Sequence, residues 1–117
     1  MKSPWRHLVD ATWYSLLGIR AAFRNEMAFR LEALVLVFVI PAGLWLGDSG
    51  VKRALLIGSY LLVLVVEFLN SAVETLVDRI GVERHELSGR AKDLSSAAVF
   101  GSIILACVVW ALVLVFP

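Results

Sequence analysis

Cysteine occurs once in this chain, at Cys107, and histidine only twice, at His7 and His85. One thiol excludes a disulfide framework and a zinc cluster, and two scattered imidazoles leave nothing for a histidine-built metal site. Cys107 lies in an apolar run and is expected to be an inert, buried thiol. Several nucleotide signatures are also missing: there is no GxxxxGK[ST] phosphate loop, no GxGxxG and no HRD. Excess charge of either sign is absent as well. With a formal net charge of +1 there is no electrostatic case for nucleic acid. Most telling, the stretch from Leu94 to Pro117 contains no charged residue at all.

What the chain has in quantity is apolar side chain. Hydrophobic residues make up 60% of its 117 positions, against ~45–50% in a soluble globular protein, and the mean hydropathy is +0.84. One small domain cannot hide that much from water, so lipid is the expected solvent. The N-terminus MKSPWRHLVDATWYSLLGIR lacks a continuous apolar core and a small-residue cleavage site, and is expected to remain in place.

The apolar residues fall into four segments, predicting an all-α membrane protein. Trp5, Leu8, Val9, Trp13, Leu16 and Leu17 recur at helical spacing, with Arg6, His7, Asp10 and Tyr14 largely between them. Ser3-Pro4 suits a helix start, and the pattern is that of an amphipathic helix, ~5–24, lying in the membrane interface. A first membrane helix is expected at ~28–47, interrupted by Pro41, which neighbouring helices can tolerate. A second is expected at ~53–80, a cytoplasmic loop at ~81–91, and a third membrane helix at ~92–116. Gly43 with Gly47 and Ala97 with Gly101 are small-xxx-small pairs, a weak packing signal. Trp110 is expected to mark the far interface. Residues 1–30 hold five basic side chains and residues 79–92 four, while 48–53 hold two and the C-terminal end none. The positive-inside rule then puts the N-terminus and the polar loop in the cytoplasm and the C-terminus outside.

Against this apolar background, VVEFLNSAVETLVDRIG (Val65 to Gly81) stands out. Glu67, Asn70, Ser71, Glu74 and Asp78 all fall within roughly 60° of the direction of Glu67 around a helix. A carboxylate at bilayer depth costs ~2.5–3.5 kcal/mol on insertion scales, which makes it a functional candidate by default. Interface anchoring is the plainer reading and suffices for Asp78 alone. Glu67 and Glu74 lie ~10 Å apart along the axis. The deeper one would be partly desolvated and a stronger base; the shallower one suits a hard cation such as Mg²⁺. Glu26 could add a second metal carboxylate. Arg20, Arg24 and Arg30 read as lipid-phosphate anchors. Glu83, His85, Lys92 and Asp93 in the polar loop carry no spacing that fixes a role.

Three blocks, RAAFRNEMAFRLE, VVEFLNSAVETLVDRIG and HELSGRAKDLSSAAV, resemble the prokaryotic integral-membrane diacylglycerol kinase family over nearly the whole chain. The resemblance implies a surface helix and three membrane helices assembled as a homotrimer, with active sites shared between subunits in the bacterial inner membrane. It implies transfer of the ATP γ-phosphate to diacylglycerol, with Mg²⁺ as cofactor. By position, Glu67 resembles the general base, Asn70 a supporting residue, and Glu26 and Glu74 the Mg²⁺ carboxylates. Tyr14, Glu83, Arg84, His85, Lys92 and Asp93 match nucleotide-contacting positions, with Lys92 on phosphate. Arg20, Phe29, Glu32, Trp45, Arg53, Ser96 and Trp110 match positions along the lipid's path. Departures are Arg6 and His7 competing for an early basic position, Leu31 in place of Gln, and Pro41. A sister branch phosphorylates undecaprenol; Trp45 and Trp110 favour diacylglycerol. A small oligomeric ion or proton conduit is the competing class, but residues 54–66 continue the polar stripe with only Gly58, Ser59 and Tyr60.

Overall fold

The computed structural model describes residues 1–81, 83 and 85–116. Four helices follow one another in these residues: α1 (Pro4–Asn25), α2 (Met27–Leu46), α3 (Gly50–Ile80) and α4 (Glu86–Val115). Each start has a local chemical cause. Ser3 Oγ accepts a hydrogen bond from the Arg6 N–H at 3.2 Å, and Pro4 takes the first turn, where its missing donor costs nothing. Ser49 caps α3 in the same way through the Lys52 N–H. His85 caps α4, its Nδ1 accepting from the Leu87 N–H at 3.0 Å.

That cap is why α4 starts at Glu86, well before the position expected from hydropathy. Most of HELSGRAKD is therefore helical, and the α3–α4 connection is shorter than the ~81–91 loop. Among the described residues, α2, α3 and α4 are the helices long and apolar enough to cross a membrane. Pro41 is accommodated inside α2, which continues to Leu46.

A single residue, Glu26, separates α1 from α2. Its extended backbone (φ −116°, ψ 107°) ends one helix and begins the next. Arg30 reaches back from α2, its Nη1 donating to the Phe23 carbonyl at 3.1 Å, and so satisfies part of the bare end of α1. The corner is backed by a small core in which Ala22, Phe29 and Leu64 are buried, with Leu36, Tyr60 and Phe68 packed around them. The Phe29 ring lies edge-on to Phe23 (centroids 5.0 Å) and tilted against Phe68 (4.7 Å). Three helices thus meet at one aromatic cluster.

Farther along, Gly43 lets α3 approach α2: a Cβ there would lie 2.7 Å from Ile57 Cγ1. The other small pair behaves differently, because a Cβ on Gly101 would meet nothing within 4 Å. The Trp110 indole N–H donates to the Leu56 carbonyl at 2.9 Å, tying α4 to α3 beside the fully buried Leu56 side chain. Trp110 is thus a half-buried helix–helix contact. Most other large apolar side chains of the spans, including Leu31, Phe38, Trp45 and Phe100, are exposed. This is what a bilayer or neighbouring chains would cover.

Candidate active site

At ~1.5 Å per residue, the 31-residue α3 is about 46 Å long, some 16 Å more than the ~30 Å hydrocarbon layer. If its Gly50 end meets the outer boundary, the helix emerges near Asn70. Glu67 then lies in the last turn within lipid, Glu74 and Asp78 beyond it. The shared face is what a continuous α3 produces.

Glu67 is only 8% exposed, and its Oε2 has no hydrogen-bond partner. The Asn70 amide donates from Nδ2 to Glu74 Oε1 at 3.4 Å, one turn along the helix. This orientation leaves Asn70 Oδ1 buried and also without a partner. Glu26, on its corner, borders the same groove as Ser71 and Thr75 of α3. The oxygen donors of Glu26, Glu74 and Asn70 suit a hard divalent cation. Among the described residues no three His, Cys, Asp or Glu side chains form a ready metal centre. A hard cation such as Mg²⁺ takes one or two protein carboxylates and completes its shell with water and substrate phosphates.

Lys92 enters from α4, its Nζ lying 2.7 Å from Asp78 Oδ1. A groove of about 530 Å³ opens between α1 and α3, bordered by Asn25, Glu26, Ser71, Thr75 and Arg79. Nearby, His85, Arg90 and Asp93 line a shallow groove of about 370 Å³. Glu83 and His85 share another of about 410 Å³. His85 Nδ1 is spent on the helix cap, which leaves Nε2 for any ligand. Arg84 lies outside the described residues.

The lipid-side positions separate into two groups. Glu32 and Trp110 line one groove of about 430 Å³ with Tyr60, Val63 and Ile103. The Tyr60 hydroxyl donates to the Glu32 backbone carbonyl at 2.6 Å, and the Glu32 Oε2 is buried without a partner. Phe29 backs this region from the core, being 4% exposed, and presents no open wall to a lipid. Arg53 and Trp45 belong elsewhere. Arg53 Nε donates to the Gly47 carbonyl at the α2–α3 turn, ~21 Å along α3 from Glu67, and Trp45 is 85% exposed near the same end. Ser96, Tyr14 and Arg20 are exposed, and among the described residues none of them bonds to another candidate side chain. The sequence reading missed Asp78 as a partner of Lys92 and Tyr60 as a partner of Glu32. Asp78 had a signal, one turn beyond Glu74 on the same face; Tyr60 had none.

Comparison with known proteins follows the same line as the geometry. The model of the family described as prokaryotic diacylglycerol kinase matches residues 13–114. A diacylglycerol kinase of Haemophilus influenzae is 52% identical over 110 residues, covering 94% of this chain and 93% of the relative. That of Escherichia coli strain K12 is 50% identical over 107 residues, covering 92% and 88%. A more distant diacylglycerol kinase, from Helicobacter pylori strain 26695, is 35% identical over 106 residues, covering 91% and 83%.

Proposed function

The chain belongs to the prokaryotic diacylglycerol kinase family, and on that premise we propose that it phosphorylates diacylglycerol with ATP at the cytoplasmic surface of a bacterial membrane, with Glu67 as general base. The observation that carries the base assignment is the buried, partnerless Glu67 Oε2 where α3 leaves the lipid. A carboxylate oxygen held there without a donor is positioned to accept one from a substrate hydroxyl.

In the reaction, the free hydroxyl oxygen of the lipid bonds to the γ-phosphorus as the bond to the β–γ bridging oxygen breaks. The hydroxyl proton passes to Glu67, and ADP leaves. Phosphoryl transfer asks for positioning and charge neutralisation more than for covalent chemistry. Glu26 and Glu74 would hold Mg²⁺, assisted by Asn70 Oδ1, and the ion when bound supplies neutralising charge to the phosphate oxygens. The ammonium of Lys92 adds a point charge from α4. Burial of Glu67, which is 8% exposed, limits water at the acceptor side, which favours transfer to lipid over hydrolysis.

The polar faces of α3 and the start of α4 take the nucleotide side, and Glu32, Tyr60 and Trp110 the lipid side. Basic residues concentrated in 1–30 and 79–92 support a cytoplasmic N-terminus and an outward C-terminus. The exposed apolar faces of α2 and α4 support assembly of several chains, the homotrimer of the family reading, with sites completed between neighbours.

The test is purified protein in mixed micelles with Mg-ATP and either diacylglycerol or undecaprenol, beside Glu67→Gln. Diacylglycerol should be the better acceptor, and Glu67→Gln should lower kcat by on the order of 10²–10⁴. A Glu67→Gln enzyme as fast as the parent would remove the base; a parent that phosphorylates only undecaprenol would move the chain to the sister activity.

A further inference from the structure

Asp78 has no role in the reaction just described, yet it makes the shortest ion pair between two membrane helices among the described residues. Its Oδ1 lies 2.7 Å from Lys92 Nζ, joining the inner end of α3 to the start of α4. The pair is well exposed, at 60% for the aspartate and 43% for the lysine side chain. Such pairs contribute little to stability, typically under ~1 kcal/mol, so a purely structural role would be a weak one. What matters is where the ammonium would otherwise go. Glu74 lies one turn before Asp78 on the same face of α3, about 6 Å along the axis. Lys92 is therefore bonded to the outer of two carboxylates.

We infer that Asp78 is a positioning residue which, by holding the Lys92 ammonium, keeps that cation off Glu74 and leaves the Glu74 carboxylate free for the divalent ion. This rests on the reading of Glu74 as a metal carboxylate. A lysine carries its charge on a flexible four-carbon stem. Without Asp78, the next carboxylate along that face of α3 is Glu74, where the ammonium would compete directly with the metal. An ammonium has three donors, so Lys92 can keep Asp78 and still offer two N–H groups to a phosphate. The Asn70 amide already holds Glu74 Oε1 loosely, at 3.4 Å; a lysine added to that carboxylate would finish neutralising it.

The experiment measures Mn²⁺ binding to nucleotide-free protein in micelles from the loss of the free-ion EPR signal, alongside the free Mg²⁺ dependence of lipid phosphorylation. Asp78→Asn keeps the shape of an exposed side chain and should weaken Mn²⁺ binding about 3- to 10-fold, while kcat at saturating Mg²⁺ changes by less than about threefold. Asp78→Glu should restore parental binding. Adding Lys92→Met to Asp78→Asn should bring Mn²⁺ affinity back to within about twofold of Lys92→Met alone, because the competing cation is gone. Unchanged Mn²⁺ affinity in Asp78→Asn overturns the inference. So does an equal loss with and without Lys92, which would make Asp78 act on the metal by itself, and so does a parent that binds no Mn²⁺. The Glu67→Gln experiment is read in kcat, so failure of the base assignment is distinguishable from failure here.

Discussion

Replacing Phe29 by alanine tests whether the aromatic corner holds the site together. The side chain is 4% exposed and joins α1 to α3 through Phe23 and Phe68. In a water-soluble core a Phe→Ala change costs about 3–5 kcal/mol, part of it transfer from water and part the cavity left behind. In a membrane protein the transfer part shrinks, because the separated helices still sit in lipid. The cavity and the two ring contacts remain, the latter worth about 0.5–1.5 kcal/mol each. The expected loss is therefore about 2–3 kcal/mol, read from SDS-induced unfolding in mixed micelles. Phe29→Leu keeps most of the volume and should recover about half of it. Activity should suffer beyond the loss of folded protein, since Phe29 lies one turn from Glu26 and its ring touches the neighbour of Glu67. A loss under about 0.5 kcal/mol, or a leucine variant as damaged as the alanine one, would refute the idea that a packed ring registers Glu26 against Glu67.

Two further changes probe the helix contacts that frame the site. Trp110→Phe keeps an aromatic ring and removes only the bond to the Leu56 carbonyl; unfolding in micelles should show a loss of about 0.6 kcal/mol, and no more than about 1.7. Gly43→Ala places a methyl 2.7 Å from Ile57 Cγ1 and should cost about 1–3 kcal/mol, largely relieved when combined with Ile57→Ala. Gly47→Ala should be worse and should not be rescued by any side-chain truncation, because its Cβ would lie 2.9 Å from the Arg53 backbone nitrogen and 3.0 Å from the Gly43 carbonyl oxygen.

The helices were legible wherever lack of charge marked them, as in the run that became most of α4. Hydropathy failed at the start of α4, where Glu86 and Arg90 share the helix with Ser88 and Gly89 and read as loop. The deciding interaction there, an imidazole accepting from a backbone N–H two residues on, is invisible to any periodicity. On α3 the opposite holds. The face shared by Glu67, Asn70, Glu74 and Asp78 follows from helix geometry alone, and so does the i, i+4 contact of Asn70 with Glu74. Contacts between helices are the part that spacing cannot supply. Gly43 and Gly101 belong to the same motif, yet one meets α3 and the other meets open space. Spacing fixed no role for Lys92; the packing of α4 beside α3 brings it to Asp78.

The three buried side-chain atoms left without partners among the described residues are Glu32 Oε2, Glu67 Oε2 and Asn70 Oδ1. All three are acceptors. Buried polar atoms normally find a partner, and one that does not costs about 1–3 kcal/mol, so three on adjacent parts of α2 and α3 call for a common reason. Turning the Asn70 amide over would not help, since its oxygen would then face the Glu74 carboxylate. Such a set can be satisfied only by something that brings protons or positive charge, and the two depths divide that demand. On the proposed reading, Glu67 and Glu32 would meet the lipid hydroxyl, and Asn70 Oδ1, one turn along α3 from Glu67, would stand beside a cation held by Glu74. On that reading these acceptors on α2 and α3 take their donors from the substrates, the arrangement that a kinase joining a membrane alcohol to a metal-bound nucleotide would use.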